Sequence, residues 1–173
     1  MGSVAGDGPP LIVTALLDER ARQRFDCLRR EHFPPERNHL DAHLTLFHRL
    51  PDTPAIVSAL AIAADRPTIT ARVRRVRGWR GGVAYDLAAP ELTALRRQLA
   101  QGWSELLSAQ DRAKADLHIT VQNKVAPAVA AALHAELAAA FTPYDVTVVG
   151  LGLWRYLGGP WEPVRRFAFA RAR

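Results

Sequence analysis

His43-Leu44-Thr45-Leu46 decides how this chain is read, because the same pattern of chemistry returns as His118-Ile119-Thr120-Val121. The aliphatic and β-branched content of both stretches predicts β-strands. Side chains alternate between the two faces of a strand, so His43 and Thr45 point one way while Leu44 and Leu46 point the other. The second copy divides in the same manner, His118 and Thr120 against Ile119 and Val121. Each strand thus offers one apolar face to a core and one face on which an imidazole stands beside a hydroxyl.

Outward from the motifs the surroundings repeat too. The run Leu-Ile-Val-Thr-Ala-Leu-Leu over 11–17 has strand length and composition, and Asp18 is placed to cap a helix reaching about residue 32. Pro34 and Pro35 end that helix, and a polar loop leads to the first motif strand at about 42–50. Thr53 opens a second helix to about 64, and Pro67 introduces a strand running to about 77. Glycines 78, 81 and 82 break the chain. A strand at 83–87, a helix at 90–109, the second motif strand at 117–125, an alanine-rich helix at 127–140 and a strand at 144–156 follow. Gly158-Gly159 turns the chain into a final strand at 161–170. Strand, helix, motif strand, helix, strand therefore occurs twice. The offsets are 72 from Leu11 to Val83, 75 from His43 to His118 and 76 from Thr68 to Tyr144.

This order predicts an α+β protein of two pseudo-symmetric lobes, each an antiparallel sheet with helices on its outside, enclosing a central cleft. The lobes are expected over about 11–77 and 83–156, within one domain spanning 11–173 behind a disordered tail at 1–10. With 173 residues, 49% of them hydrophobic and 23% charged, the composition is that of a globular chain. No apolar run is long enough for a membrane span, the N-terminal stretch lacks the pattern of a signal peptide, and no ligand spacing suggests zinc. A single cysteine, Cys27, rules out an internal disulfide and suits the cytoplasm, with a packing role in the first helix. The net charge of +6, carried almost wholly by arginine, favours phosphate-bearing partners or reflects an arginine-rich genome.

Two imidazoles brought to one cleft can serve as a base and acid pair, since their ordinary pKa lets one be neutral while the other is protonated. Thr45 and Thr120 are poor nucleophiles without a dedicated base; their hydroxyls suit hydrogen bonding to the oxygens of an anion. A tetrahedral group between two hydroxyls and two imidazoles points to phosphoryl transfer on a phosphodiester. The paired His-x-Thr-x motifs resemble those of the 2H phosphoesterase superfamily, and over about residues 11–172 the chain is most similar to its bacterial 2′-5′ RNA ligase-like members. The resemblance implies catalytic roles for His43 and His118 and phosphate binding by Thr45 and Thr120. It implies a metal-independent phosphodiesterase that hydrolyses a 2′,3′-cyclic phosphate on an RNA end or nucleotide, with no cofactor. Its alternatives are a 2′-5′ RNA ligase or 2′-5′ phosphodiesterase and, from another class, a non-catalytic nucleotide- or RNA-binding module. The partner expected is an RNA end or small nucleotide phosphodiester, with no membrane, for a cytoplasmic monomer.

One departure concerns the residues after the second motif, where many relatives carry a small residue and then arginine and this chain has Gln122-Asn123-Lys124. Gln122 and Lys124 share parity with His118 and Thr120 and so are candidates to contact substrate in place of that arginine. Phe47 shares parity with His43 and either stacks on a base or packs in the core. The arginines at 72, 74, 75, 77 and 80 form either a basic stripe for RNA or, alternating onto both faces, a solvated edge strand. Trp154, Arg155, Tyr156 and Trp161, around the glycine turn, either wall the cleft or simply pack. His32, His39, His48 and His134 lack a matching motif, and His48 has the wrong parity for the His43 face.

Overall fold

Apolar runs bounded by proline, glycine or a capping carboxylate become the elements of a computed structural model that describes residues 8–114 and 116–170. The expected tail at 1–10 lies mostly outside the described residues. The first half folds as β1 (Leu11–Leu17), α1 (Glu19–His32), β2 (Leu44–Leu50), α2 (Pro54–Ala63) and β3 (Ile69–Trp79). The second half gives β4 (Gly82–Ala88), α3 (Pro90–Gly102), α4 (Ala109–Ala113), β5 (Leu117–Gln122), α5 (Pro127–Ala139) and β6 (Tyr144–Tyr156), and β7 (Trp161–Ala168) closes the chain. Asp18 caps α1 by accepting from the Ala21 N–H at 3.0 Å, and its other oxygen accepts from the Thr147 N–H at 2.8 Å. Helices α2, α3 and α5 instead open on proline, whose fixed φ suits the first helical position.

The strands expected to form two sheets join in one antiparallel sheet of seven, in the order β1-β2-β5-β4-β3-β6-β7, and β1 also pairs with β6. Six strands thereby close into a ring with β7 added to β6. Exchanging β1 with β4, β2 with β5 and β3 with β6 leaves the list of ring pairings unchanged, so the sequence repeat is also a repeat of connectivity. The two motif strands, β2 and β5, pair with each other and so bring the two copies of the motif side by side. β3 lies between β4 and β6, which corrects the expectation of an edge strand. The apolar faces of the motif strands supply the core: Leu44, Leu46 and Ile119 are fully buried, beneath Phe25, Leu92 and Leu95 of the helices.

The helix expected at 90–109 ends at Gly102, where the chain turns so that Trp103 enters the core against Phe47, with ring centroids 5.1 Å apart. Ser108 restarts it as α4 by accepting from the Asp111 N–H. Asp111 is completely buried and accepts from the backbone N–H groups of His48 at 2.8 Å and Arg49 at 2.9 Å, and from the Ser108 hydroxyl at 3.1 Å. His48 Nδ1 stands 3.1 Å from the same carboxylate. Burial pushes the Asp111 carboxyl up, but these hydrogen bonds outweigh it and hold it below its ordinary value. Its contribution to stability is therefore present at neutral pH and is lost as pH falls through that lowered pKa. Asp111→Ala strands two backbone donors of β2 and should cost on the order of 3 kcal/mol, lowering the urea midpoint without changing the slope. An unmoved midpoint would contradict this anchoring of α4 to β2.

Candidate active site

The register between the motif strands sets the site. Leu44 pairs with Ile119 in the antiparallel contact of β2 with β5. Continuing that register one residue each way places His43 opposite Thr120 and Thr45 opposite His118. All four side chains project from the face opposite the core-facing Leu44 and Ile119. The imidazoles occupy one diagonal of a four-residue patch and the hydroxyls the other, and such diagonal neighbours are separated by about 7–8 Å. Thr45 is almost buried and Thr120 half-buried. Among the described residues neither hydroxyl is held by a hydrogen bond within the protein.

Both rings are oriented through Nδ1, which leaves Nε2 for chemistry. His43 Nδ1 donates to the backbone carbonyl of Asp41 at 2.8 Å, whereas His118 Nδ1 meets the carboxylate of Asp116 at 3.1 Å. The repeat is thus longer than four residues: Asp41-Ala42-His43-Leu44-Thr45-Leu46 matches Asp116-Leu117-His118-Ile119-Thr120-Val121. The aspartates were missed from sequence, although their equal spacing before each histidine was a readable signal. Their different use breaks the symmetry. Burial, together with nearby Arg29, His48 and His118, draws His43 down to about 4, against the opposing pull of the Asp41 carbonyl. Burial, Lys114 and Arg77 also lower His118, but there Asp116 supplies an opposing negative charge. Asp116 itself, despite burial, is held at about 2 by Arg77, Lys114 and His118. A neutral imidazole and a carboxylate-backed one therefore face the same patch.

Two arginines, Arg29 buried and Arg96 half-buried, brace the motifs across the halves. Arg29 of α1 donates to the Leu40 carbonyl, just before the first motif, and to the Thr120 carbonyl of the second, both at 2.9 Å. Arg96 of α3 does the reverse, reaching the Leu46 carbonyl of the first motif strand at 3.0 Å and the Asp111 carbonyl ahead of the second. Each guanidinium thus ties its own half's approach loop to the other half's motif strand. Among the described residues no three His, Cys, Asp or Glu side chains cluster as metal ligands.

Beside His43 lies a cavity of about 690 Å³ whose lining includes Trp154, Trp161, Asn38, Asp41, Arg30 and Arg166. Trp161 packs on His43 with centroids 4.6 Å apart, and Trp154 packs behind Trp161 while donating to the Thr14 hydroxyl at 2.9 Å. Gly152 permits that crossing, because a Cβ there would sit 2.8 Å from the Thr14 oxygen. These tryptophans wall the site, while Arg155 is occupied by Asp52 and Glu162 and Tyr156 faces solvent.

The structure decides between the two readings of Phe47 and corrects two other sequence expectations. Phe47 is fully buried between Trp103 and the Arg96 guanidinium, so it cannot stack on a substrate base. Gln122 and Lys124 lose the parity argument because the β4–β5 register slips: Ala84 pairs with Thr120 but Val83 with Gln122, leaving Val121 as an extra residue. Gln122 is buried, and Lys124 lies beyond the strand at φ +61° in an exposed turn. Cys27 is exposed on α1 rather than packed, 3.1 Å from Arg30 Nη2. His48 is taken up by Asp111, and His39 borders the cavity.

The fold is shared with several solved structures. A protein solved as a phosphoesterase shares 20% identity at a TM-score of 0.60 over 95% of this chain and 100% of its own. TT0787 of Thermus thermophilus shares 18% at 0.63, and Escherichia coli LigT complexed with 3′-AMP shares 21% at 0.61, each over 95% of this chain and 100% of the other. No curated protein matches the chain. The family model of the 2′-5′ RNA ligase superfamily matches residues 17–160, a span that contains both motifs, and the chain belongs to that superfamily. No helix among the described residues is long and apolar enough to cross a membrane.

Proposed function

We propose that this protein is a phosphodiesterase that opens a 2′,3′-cyclic phosphate, on an RNA end or a nucleotide, by acid–base catalysis between His43 and His118 without a metal. The observation that carries this reading is the register that sets each histidine opposite the other motif's threonine. A phosphate centred on that patch receives hydrogen bonds from both hydroxyls at its non-bridging oxygens and has an imidazole on either side, the arrangement required for in-line displacement. His43, neutral above about 4, takes the proton of a water as its oxygen bonds to phosphorus. The bond from phosphorus to one ribose oxygen breaks on the opposite side, and His118 donates its Nε2 proton to that oxygen. The product is a phosphate monoester beside a free hydroxyl, and solvent restores the two protonation states. The tryptophan-walled cavity beside His43 has room for the nucleoside. The complex of LigT with 3′-AMP supports a nucleotide ligand for a chain of this fold.

The assignment of roles has a pH signature. On the acid side kcat/KM should rise as His43 loses its proton at about 4, and on the alkaline side it should fall as His118 loses its own, below the ordinary histidine value. Asp116→Asn removes the negative charge that raises His118, so the falling limb moves to lower pH while the rising limb stays. Activity at neutral pH drops by on the order of tenfold for each unit of that movement. A falling limb that stays in place, or moves to higher pH, contradicts His118 as the acid.

A further inference from the structure

The arginines of β3 do not alternate as simple strand parity demands. Val73 pairs with Leu87 but Arg75 with Asp86, so Arg74 is an extra residue in β3, a bulge that shifts parity midway along the strand. As a result Arg74 and Arg75 are both exposed while Val73 and Val76 on either side are buried. The bulge gathers guanidinium groups on one face, where a second cavity of about 510 Å³ lies against the end of β4, the start of α3 and the residues before His118. Its lining includes Arg74, Arg75, Arg77 and Arg97 with Asp86 and Asp116. It occupies in the second half the place that the tryptophan-walled cavity occupies in the first, which lies against the end of β1, the start of α1 and the residues before His43.

Both carboxylates of this second cavity are already engaged. Asp86 is held by Arg75 at 2.7 Å and Arg77 at 3.1 Å, and Asp116 by Arg77 at 2.8 Å, Lys114 at 3.9 Å and His118 at 3.1 Å. Arg74 and Arg97, both exposed, have no ion-pair partner among the described residues. Two unmatched guanidinium groups thus line the same cavity as Asp116, whose carboxylate meets His118. Planar guanidinium forks match phosphate oxygens.

We propose that this cavity is a second phosphate subsite, in which Arg74 and Arg97 hold a phosphate of the substrate other than the one being cleaved. The inference rests on the reading that the reacting phosphate lies between His43 and His118. The second phosphate belongs either to the next phosphodiester of a strand or to the 5′ position of the same nucleotide.

The test is Arg74→Gln/Arg97→Gln against the parent, with three substrates at about 150 mM salt: a nucleoside 2′,3′-cyclic monophosphate, its 5′-phosphorylated form and a short oligonucleotide ending in a 2′,3′-cyclic phosphate. The variant keeps the parent's kcat/KM on the first and loses on the order of tenfold where a second phosphate is present. Loss on the oligonucleotide alone assigns the site to the strand, and loss on the 5′-phosphorylated nucleotide too assigns it to that phosphate. Salt dependence on the affected substrate also becomes shallower in the variant. Equal loss on all three substrates, or no loss on any, overturns the subsite. If the parent turns over none of them the phosphodiesterase reading fails on its own. Binding of the same oligonucleotide carrying a fluorophore then decides the subsite: affinity about tenfold weaker in the variant supports it, and unchanged affinity overturns it.

Discussion

Turnover of a nucleoside 2′,3′-cyclic monophosphate with a strong chelator present should fall by on the order of a hundredfold or more in His43→Ala and, separately, in His118→Ala. A hundredfold corresponds to about 2.7 kcal/mol of lost transition-state stabilisation, the scale expected for removing a positioned acid or base. The two losses should not add, because the proton taken from water and the proton given to the ribose oxygen belong to one displacement; the double variant should be little worse than the worse single one. His32→Ala, which removes a histidine outside both motifs, should keep the parent rate. Nucleotide binding should survive the single variants, since the threonines and the tryptophan-walled cavity are intact. Activity lost to chelator and restored by metal would contradict the mechanism. A parent that binds nucleotide but never turns it over, with the same affinity in both variants, would make the protein a binding module.

The reason to expect so much from two side chains is the asymmetry around them. A symmetric pair of imidazoles in one cleft offers no basis for dividing the work. Here the first ring rests on a backbone carbonyl and beside Trp161, and is drawn down to about 4, while the second is backed by a carboxylate. The strand pairing keeps the repeat, and the local partners give its copies different surroundings.

Much of this was legible in the residues. The paired motifs, their offsets and the proline and capping signals led to the α+β order of elements, and the alternation of His-Leu-Thr-Leu correctly put aliphatic residues inward and chemistry outward. What failed were arguments that carried strict alternation too far. One extra residue at Arg74 collected arginines that parity had split, and another at Val121 separated Gln122 and Lys124 from the face of His118. Bulges depend on both strands of a pair, so neither strand announces one alone. Phe47 fails for the same reason: Thr14 pairs with Thr45 but Val13 with Phe47, so Leu46 is an extra residue in β2 and Phe47 turns to the core beside Val13, where Trp103 packs on it. The bracing by Arg29 and Arg96 was invisible because its acceptors are backbone carbonyls 91 and 50 residues away, and such acceptors have no side-chain signature.

The threonines allow the sharpest separation of chemistry from fold. If Thr45 and Thr120 are present only because β-branched residues favour strands, Thr→Val preserves what matters and should leave activity and stability unchanged or better. If their hydroxyls hold the phosphate, Thr45→Val and Thr120→Val should each lower kcat/KM by on the order of a hundredfold, the cost of removing one donor to a developing oxyanion. Thr→Ser supplies the converse, losing the methyl and keeping the donor, so most of the activity should remain. Inorganic phosphate, which carries the same oxygens without nucleoside or leaving group, should inhibit the parent and the serine variants more strongly than the valine variants. The register assigns each hydroxyl to the far histidine's side of the patch, so both valine variants should suffer. A loss at one threonine only would mean that the phosphate rests against one motif, and that the two halves contribute their histidines but not their hydroxyls equally.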